Sequence, residues 1–475
     1  MAYGWIHDHL RILADEGRQQ AFHADRAVLV STVFEVRRTH LPSLFSYELD
    51  RFSGNRFFWS EPGRRLALAG LGSALQIEAD DAAQRFRQVE LKWREVIDGC
   101  ILQGEVPDHT GPHLFGGFSF DPLNETSEEW QSYPHTRFVL PEIMWTEYQG
   151  RTWVTFNKMI SLDEQAHADL TWDDRLRIIE QLEGAAQEIP AAVEAEHIYK
   201  EEIAPTEWMN VVERAAASIR AGEMRKVVLA RQMKLYADRP FDVREILCRL
   251  LREQNNTYVF AIESGSDCFV GATPERLIES KDGLFRTLSL AGTIGRGRTE
   301  EEDRRYGEFL FHDEKNLHEH ALAVEMIKEA MLELCDNVEL PDAPILYRLK
   351  DVQHLLTPIS GRAREGVTLL QAIEALHPTP ALGGMPREAA IEAIRELERM
   401  DRGWYAAPIG WLNLRMDGEF AAAIRSALIR GKEASLYAGC GIVGDSAAMS
   451  EYQETALKFR PMLSALGALD SEPAS

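Results

Sequence analysis

The sequence is short of cysteine and of basic residues, and it contains no long apolar run. Five cysteines, Cys100, Cys248, Cys268, Cys335 and Cys440, are scattered through 475 residues with no CxxC pair. That spacing excludes a disulfide framework and a thiolate zinc site, and it fits a reducing cytoplasm. Lysine and arginine total 52 against 76 aspartates and glutamates, a formal net charge of −24. Such a field disfavours nucleic acid phosphates and anionic membranes as partners, so an anionic ligand would need local cations that overrule it. No uninterrupted apolar stretch approaches the roughly 20 residues needed to cross a bilayer. The N-terminal MAYGWIHDHLRILADEG is charged every few residues and lacks the apolar centre of a secretory signal. A soluble cytoplasmic protein is expected. With 45% hydrophobic residues the chain can bury a substantial core, which excludes disorder as the dominant state.

There is no internal repeat. The first half mixes strand-like pieces (RFFWS, RLALAGLG, RTWVTFNKMI) with helix-like ones (AAQRFRQVELKWREVIDG, WDDRLRIIEQLEGAAQEI). The acidic stretch 189–205 has proline near each end and reads as a connection, so the organisation expected is a region 1–197, a region 198–467 and a polar tail 468–475. After the connection, Trp208, Val211, Val212, Ala215 and Ile219 form one helical stripe that Gly222 closes. The runs KVVLARQMKLYA, TYVFAIES, DCFVGATPERLIES and GLFRTLSLAGT then read as strands, and YAAPIGWLNL, FAAAIRSALIR and ASLYAGCGIVG as a meander joined by tight turns. Helices are expected at about 314–335, 386–400 and 450–466. Strand runs with inserted helices predict an α+β fold on antiparallel sheet.

Several residues could carry chemistry. Glu319 lies about 200° round its helix from Leu317, away from the stripe Leu317, Ala321, Val324, Ile327, Met331 and Leu334. Periodicity alone makes it a solvated side chain. The opposite face, with Leu322, Met326 and Ala330, is apolar too, which favours a sandwiched helix and a partner for that glutamate, such as a metal ion. Glu451, Glu454 and Lys458 share one helix face, either as a wet stripe or as paired carboxylates able to hold Mg²⁺. Ser450 with Gln453 resembles a capping box. Lys226 precedes the apolar run VVLA and Glu275 follows GATP. Each has a bland reading, a snorkelling strand end and a helix N1 residue, and a functional one as a base and acid pair.

Ten motifs in order carry a resemblance: KVVLAR (226–231), GATPERL (271–277), LAGT (290–293), HEHALAVE (318–325), VQHL (352–355), HPTPALGG (377–384), RGWYAAPIGW (402–411), AIRSALI (423–429), YAGCGIVGDS (437–446) and EYQETALK (451–458). Over these roughly 270 residues the chain resembles the chorismate-binding enzyme family, which includes isochorismate, salicylate, anthranilate and aminodeoxychorismate synthases. FGGFSFDP (115–122) is similar to isochorismate synthases of the menaquinone pathway. The resemblance implies two facing antiparallel sheets with outer helices and a Mg²⁺ ion on Glu319 and Glu454, Glu451 helping through a water. It implies that Tyr405 and Arg425 bind the enolpyruvyl carboxylate of chorismate, with Lys458 and the backbone amides of Gly439 and Gly441 around the carboxylates, and that Thr293 and His354 position the ring. Lys226 matches members that use water as nucleophile, where ammonia users usually have glutamine, and Ala291 stands where a covalent route would need lysine. The implied reaction is Mg²⁺-dependent conversion of chorismate to isochorismate, Lys226 as base and Glu275 as acid, in a monomer without a glutaminase subunit. A salicylate synthase is the nearest alternative and an anthranilate synthase component a further one.

Overall fold

The computed structural model describes residues 4–46, 51–79, 81–104, 106–161, 172–185 and 197–469. Residues 189–196 of the expected connection and the tail from 470 lie outside them. Among the described residues no helix is long and apolar enough to cross a membrane.

Two sheets form the body, as expected. The larger runs from Ile198–Glu202 through Lys226–Ala237, Glu433–Ile442, Ser426–Arg430, Asp267–Thr273 and Tyr258–Ser264, then through Arg56–Ser60, Leu66–Leu71, Ile143–Tyr148, Arg151–Ile160, Val28–Val36 and Ile101–Gln103. A two-residue strand, Gly384–Met385, pairs with its Lys226 end. The smaller runs from Ile345–Arg348 through Val352–Arg362, Leu284–Gly295, Arg276–Lys281, Gly418–Ala422 and Pro408–Asn413 to His113–Phe118, Thr136–Leu140 and Leu75–Glu78. Pairing is antiparallel except between Val28–Val36 and Ile101–Gln103. The first half of the chain therefore extends both sheets.

Side chains that alternate inward along these strands fill the space between the sheets: Trp59, Leu229, Phe260, Phe269 and Tyr437 from the larger meet Phe115, Ile409, Trp411 and Ala421 from the smaller. The outer face of the larger sheet is covered by helices Val243–Glu253 and Ala448–Ala465, through Ile246, Leu250, Phe459 and Met462. Helices Arg85–Ile97, Glu314–Leu334 and Leu369–Leu376 cover the smaller through Val89, Trp93, Ile327, Met331 and Ile373.

Two runs read as single strands are each split between the sheets. DCFVGATPERLIES gives Asp267–Thr273 to the larger sheet and Arg276–Lys281 to the smaller, and Pro274, which has no N–H for a ladder, stands at the break. FAAAIRSALIR gives Gly418–Ala422 to the smaller and Ser426–Arg430 to the larger, with Arg425 in the left-handed region at φ 52°. The crossings lie side by side: Ala272 N donates to Arg425 O and Ala422 N to Glu275 O, both at 3.0 Å. The C-terminal helix starts at Ala448 with Ala447 as its cap residue, so the expected capping box of Ser450 and Gln453 does not form; Glu451 still falls in the first turn. Gly222, at φ 86°, follows helix Pro205–Arg220 in the expected closing place.

Candidate active site

The paired crossings bring Glu275 and Arg425 to one open cleft. Thr293, His354, Tyr405, Gly439 and Lys458 line it as well, with Val228, Leu290, Leu382, Arg402, Ala406 and Ile424. Seven of the twelve residues singled out in the sequence thus meet in one place, although they come from seven different segments.

Glu275 is buried, with Thr379 Oγ1 3.5 Å from its Oε1. Burial pushes its carboxyl up to about 7, against the opposing pull of Arg425, Lys458 and Lys226. A carboxyl that still carries a proton near neutral pH, beside cations, is suited to protonate a leaving group. Arg425 is buried too, which works against its charge, while Tyr405, Glu454, Glu275 and Asp351 support it. The Tyr405 ring stacks on Tyr437 with centroids 5.3 Å apart, and burial raises its phenol.

His354 is pushed down to about 3 by burial and by Arg425 and Lys458, so the imidazole is neutral. Its Nδ1 lies 3.1 Å from Thr293 Oγ1 and 3.3 Å from Gly292 O. A carbonyl only accepts, so this geometry assigns the ring proton to Nδ1 and a lone pair to Nε2. Nε2 is buried and has no protein partner, which leaves it an acceptor for a hydroxyl in the cleft.

Next to this cleft the other site residues form ion pairs. Lys226 begins its strand and donates through Nζ to Glu319 Oε1 at 2.7 Å. Gly441 makes room for them: a Cβ there would stand 2.6 Å from Lys226 Cε and 3.4 Å from Glu319 Oε1. Lys458 Nζ donates to Glu454 Oε1 at 2.6 Å and to Gly439 O at 2.8 Å, so Lys458 binds that glycine by its carbonyl. Burial alone would raise the Glu454 carboxyl, but Lys458, Arg425 and Lys226 hold it below its ordinary value. Glu451 is buried one turn before Glu454.

The backbone of Gly439 and Gly441 faces the same side. Val228 N donates to Gly383 O and Ala230 N to Glu398, so both residues turn away from strand Glu433–Ile442. Their register partners, Gly441 and Gly439, therefore also turn their amides outward, past the end of strand Ser426–Arg430. Among the described residues no three aspartate, glutamate, histidine or cysteine side chains converge closely enough to hold a metal ion.

Sequence reasoning missed Thr379, which touches Glu275, and Glu129, which accepts from Tyr437 Oη at 3.0 Å and from Gln232 beneath the Tyr405 stack. Thr379 lies in the quoted motif HPTPALGG, a signal that was present. Glu129 comes from the first half, where nothing in the sequence set it apart from other exposed-looking acids.

Residues 16–467 match the family model described as chorismate binding enzyme. The chain is 43% identical over 462 residues to isochorismate synthase MenF of Bacillus subtilis, covering 95% of this chain and 97% of that protein. It is 38% identical to the salicylate biosynthesis isochorismate synthase of Pseudomonas aeruginosa, over 96% of this chain and 94% of that one. Among solved structures, the menaquinone-specific isochorismate synthase MenF of Escherichia coli superposes with a TM-score of 0.73 at 25% identity, covering 96% of this chain and 99% of that one. Anthranilate synthase component I of Streptococcus pneumoniae shares the fold, with a TM-score of 0.68 at 22% identity over 91% of this chain and all of that one. The chain belongs to the chorismate-binding enzyme family.

Proposed function

We propose that this enzyme converts chorismate to isochorismate, and that the observation carrying the reading is the buried Glu275 carboxyl, held up to about 7 within reach of Arg425, Lys458 and Lys226. In this reading a water attacks C2 of the ring and its proton passes to Lys226. The ring double bonds shift, and the C4 hydroxyl leaves as water with the proton of Glu275. One water enters and one leaves, so the reaction is an isomerisation and is close to thermoneutral. Arg425 and Tyr405 hold the enolpyruvyl carboxylate, Lys458 and the outward amides of Gly439 and Gly441 add to the positive wall, and His354 Nε2 accepts from a ring hydroxyl. Within a chain of net charge −24 this cluster is the local exception that admits a dianion.

Glu319, Glu454 and Glu451 supply hard carboxylate oxygens, the donor type Mg²⁺ takes, from helices Glu314–Leu334 and Ala448–Ala465. When bound, the ion would hold the ring carboxylate and draw electron density from the ring. Glu319 and Glu454 are each paired with a lysine, so metal binding competes with those two ion pairs. The amine of Lys226 is a donor to Glu319 in this arrangement.

The test is incubation of purified protein with chorismate, with Mg²⁺ and after chelation, followed by separation of products. Isochorismate without pyruvate, lost on chelation, is expected. Stoichiometric pyruvate with salicylate would replace the reading with a salicylate synthase, and anthranilate formed with ammonium would replace it with the amine-transferring reaction. Lys226→Ala should lower turnover by about 10²–10⁴-fold, as for loss of a general base, while chorismate still binds. The similarity to MenF proteins supports a place in menaquinone synthesis and a chain that works without a glutaminase subunit.

A further inference from the structure

The cleft contains one arginine that the proposed reaction leaves without a task. Arg402 lines the same cavity as Glu275 and Arg425, yet its donors face the protein. Nε and Nη2 both reach Glu398, Nη1 donates to Leu382 O at 3.0 Å, and Nη2 donates to Val228 O at 2.8 Å. The guanidinium also sits 4.3 Å from the centroid of the Phe120 ring. Four of five N–H groups are thus engaged within the protein, which leaves little to offer a substrate carboxylate.

Glu398 is the other half. It follows helix Arg387–Leu397, and each side chain of the pair is only 3% exposed. Besides Arg402, its Oε1 accepts from Ala230 N at 2.6 Å. Val228 and Ala230 point their backbone groups out of the sheet edge, because the neighbouring strand there, Gly384–Met385, reaches only Lys226 and Val227. The carboxylate and the guanidinium therefore take the places of a missing strand: one accepts the Ala230 amide, the other donates to the Val228 carbonyl.

The segments tied in this way are the ones that hold the two proton-transferring groups. Val228 and Ala230 are two and four residues from Lys226 on the same strand. Leu382 belongs to the turn in which Leu382 N donates to Thr379 O at 3.0 Å, and Thr379 touches Glu275. An ion pair this deeply buried is a poor source of stability, because desolvating both charges offsets most of their attraction, but it fixes geometry well.

We propose that Glu398 and Arg402 are positioning residues for the reaction, a buried fork that closes the open edge of the Lys226 strand and holds it in register with the Thr379 turn behind Glu275. The proposal rests on the isochorismate reading given above. The pair sets the distance between base and acid and does not bind substrate, so its loss acts on the chemical step.

The experiment compares wild type with Arg402→Lys and Glu398→Gln. Lysine keeps the charge but cannot fork, and glutamine keeps an acceptor for Ala230 N without the charge. Steady-state rates with chorismate and Mg²⁺ are measured well below the melting temperature of each protein, with folding checked by circular dichroism. Both variants should lose about tenfold or more in kcat, with KM for chorismate within about threefold of wild type. Folded variants with wild-type kcat, or variants in which KM rises and kcat is kept, would overturn the positioning role, the second pointing to direct contact with substrate. If only one variant folds, its split between kcat and KM decides. Wild-type protein that leaves chorismate unchanged would fail the functional reading itself, a different outcome from active wild type matched by its variants.

Discussion

At the scale of single residues, Glu275 is where structure and chemistry conflict most sharply. Its carboxyl is raised from an ordinary 4.5 to about 7 by burial, so the folded state binds its proton more tightly than the unfolded state does. The sign follows directly. The stability tied to this group is intact below about 4.5, declines as pH rises towards 7, and is gone above that. Glu275→Gln should therefore melt roughly 1–3 °C higher than wild type at pH 8 and indistinguishably at pH 4.5 or below, the shift being small because so long a chain has a large unfolding entropy. Activity runs the other way. In the proposed reaction Glu275 is the general acid and must be protonated in the free enzyme, so kcat/KM should fall about tenfold per pH unit above pH 7, and the glutamine variant should lose that limb along with about 10²–10⁴ of turnover. Rates from pH 5.5 to 9 and thermal melts from pH 4 to 9 check both; an alkaline limb that survives in the variant would assign it to another group. The motif GATPERL made Glu275 visible in the sequence. Thr379 lay in a quoted motif, but its contact with Glu275 and the burial that retunes the carboxyl were not legible, because neither follows from neighbours in the chain.

At the scale of elements, the site exists because strands change sheets. Alternating apolar residues identified Arg151–Ile160 and Lys226–Ala237 to the residue, since a strand half-buried in a sandwich has a period of two wherever it lies. That same period says nothing about which sheet a strand joins. DCFVGATPERLIES and FAAAIRSALIR therefore looked like single strands, although Pro274 and the left-handed Arg425 break each of them at the cleft. Helix ends were legible to within a few residues, whereas the Ser450 box failed because the helix had already begun two residues earlier. The strand that carries Gly439 and Gly441 yields a prediction at this scale. Gly441→Ala would place a methyl group 2.6 Å from Lys226 Cε and 3.1 Å from its Nζ while leaving the strand's own backbone geometry allowed. Displacing the lysine by about an ångström should lower kcat roughly 10²-fold with little change in melting temperature. Normal kcat in a folded Gly441→Ala protein would show that the amine need not stay where it is.

At the scale of the whole molecule, the question is what locks the two sheets and the two halves of the chain together. One answer lies away from the cleft. Glu61, after strand Arg56–Ser60 of the larger sheet, meets Glu419 of the smaller sheet carboxyl to carboxyl; burial and the charge of Glu419 push Glu61 up to about 9. Glu419 Oε1 accepts from Tyr258 Oη at 2.7 Å and from Arg276 Nε at 2.9 Å, while its buried Oε2 has no other donor. Glu61 shares a side-chain hydrogen bond with Glu419, which needs a proton on one of the two carboxyls, and Glu279, paired with Arg276, adds to the negative surroundings. With its folded-state value raised, Glu61 contributes stability that is intact below about 4.5 and lost as pH climbs towards 9. Above that, two carboxylates repel across the seam between the sheets. Glu61→Gln supplies a permanent N–H in place of the titrating proton. The variant should match wild type in melting temperature at pH 4.5 or below, exceed it by roughly 1–3 °C at pH 9.5, and keep wild-type kcat, because the pair lies outside the cleft. Melting curves that fall in parallel from pH 6 to 10 would mean that the shared proton does not hold the sheets together, and would move the seam's stability to the apolar layer of Trp59, Phe115, Phe260 and Trp411 between them.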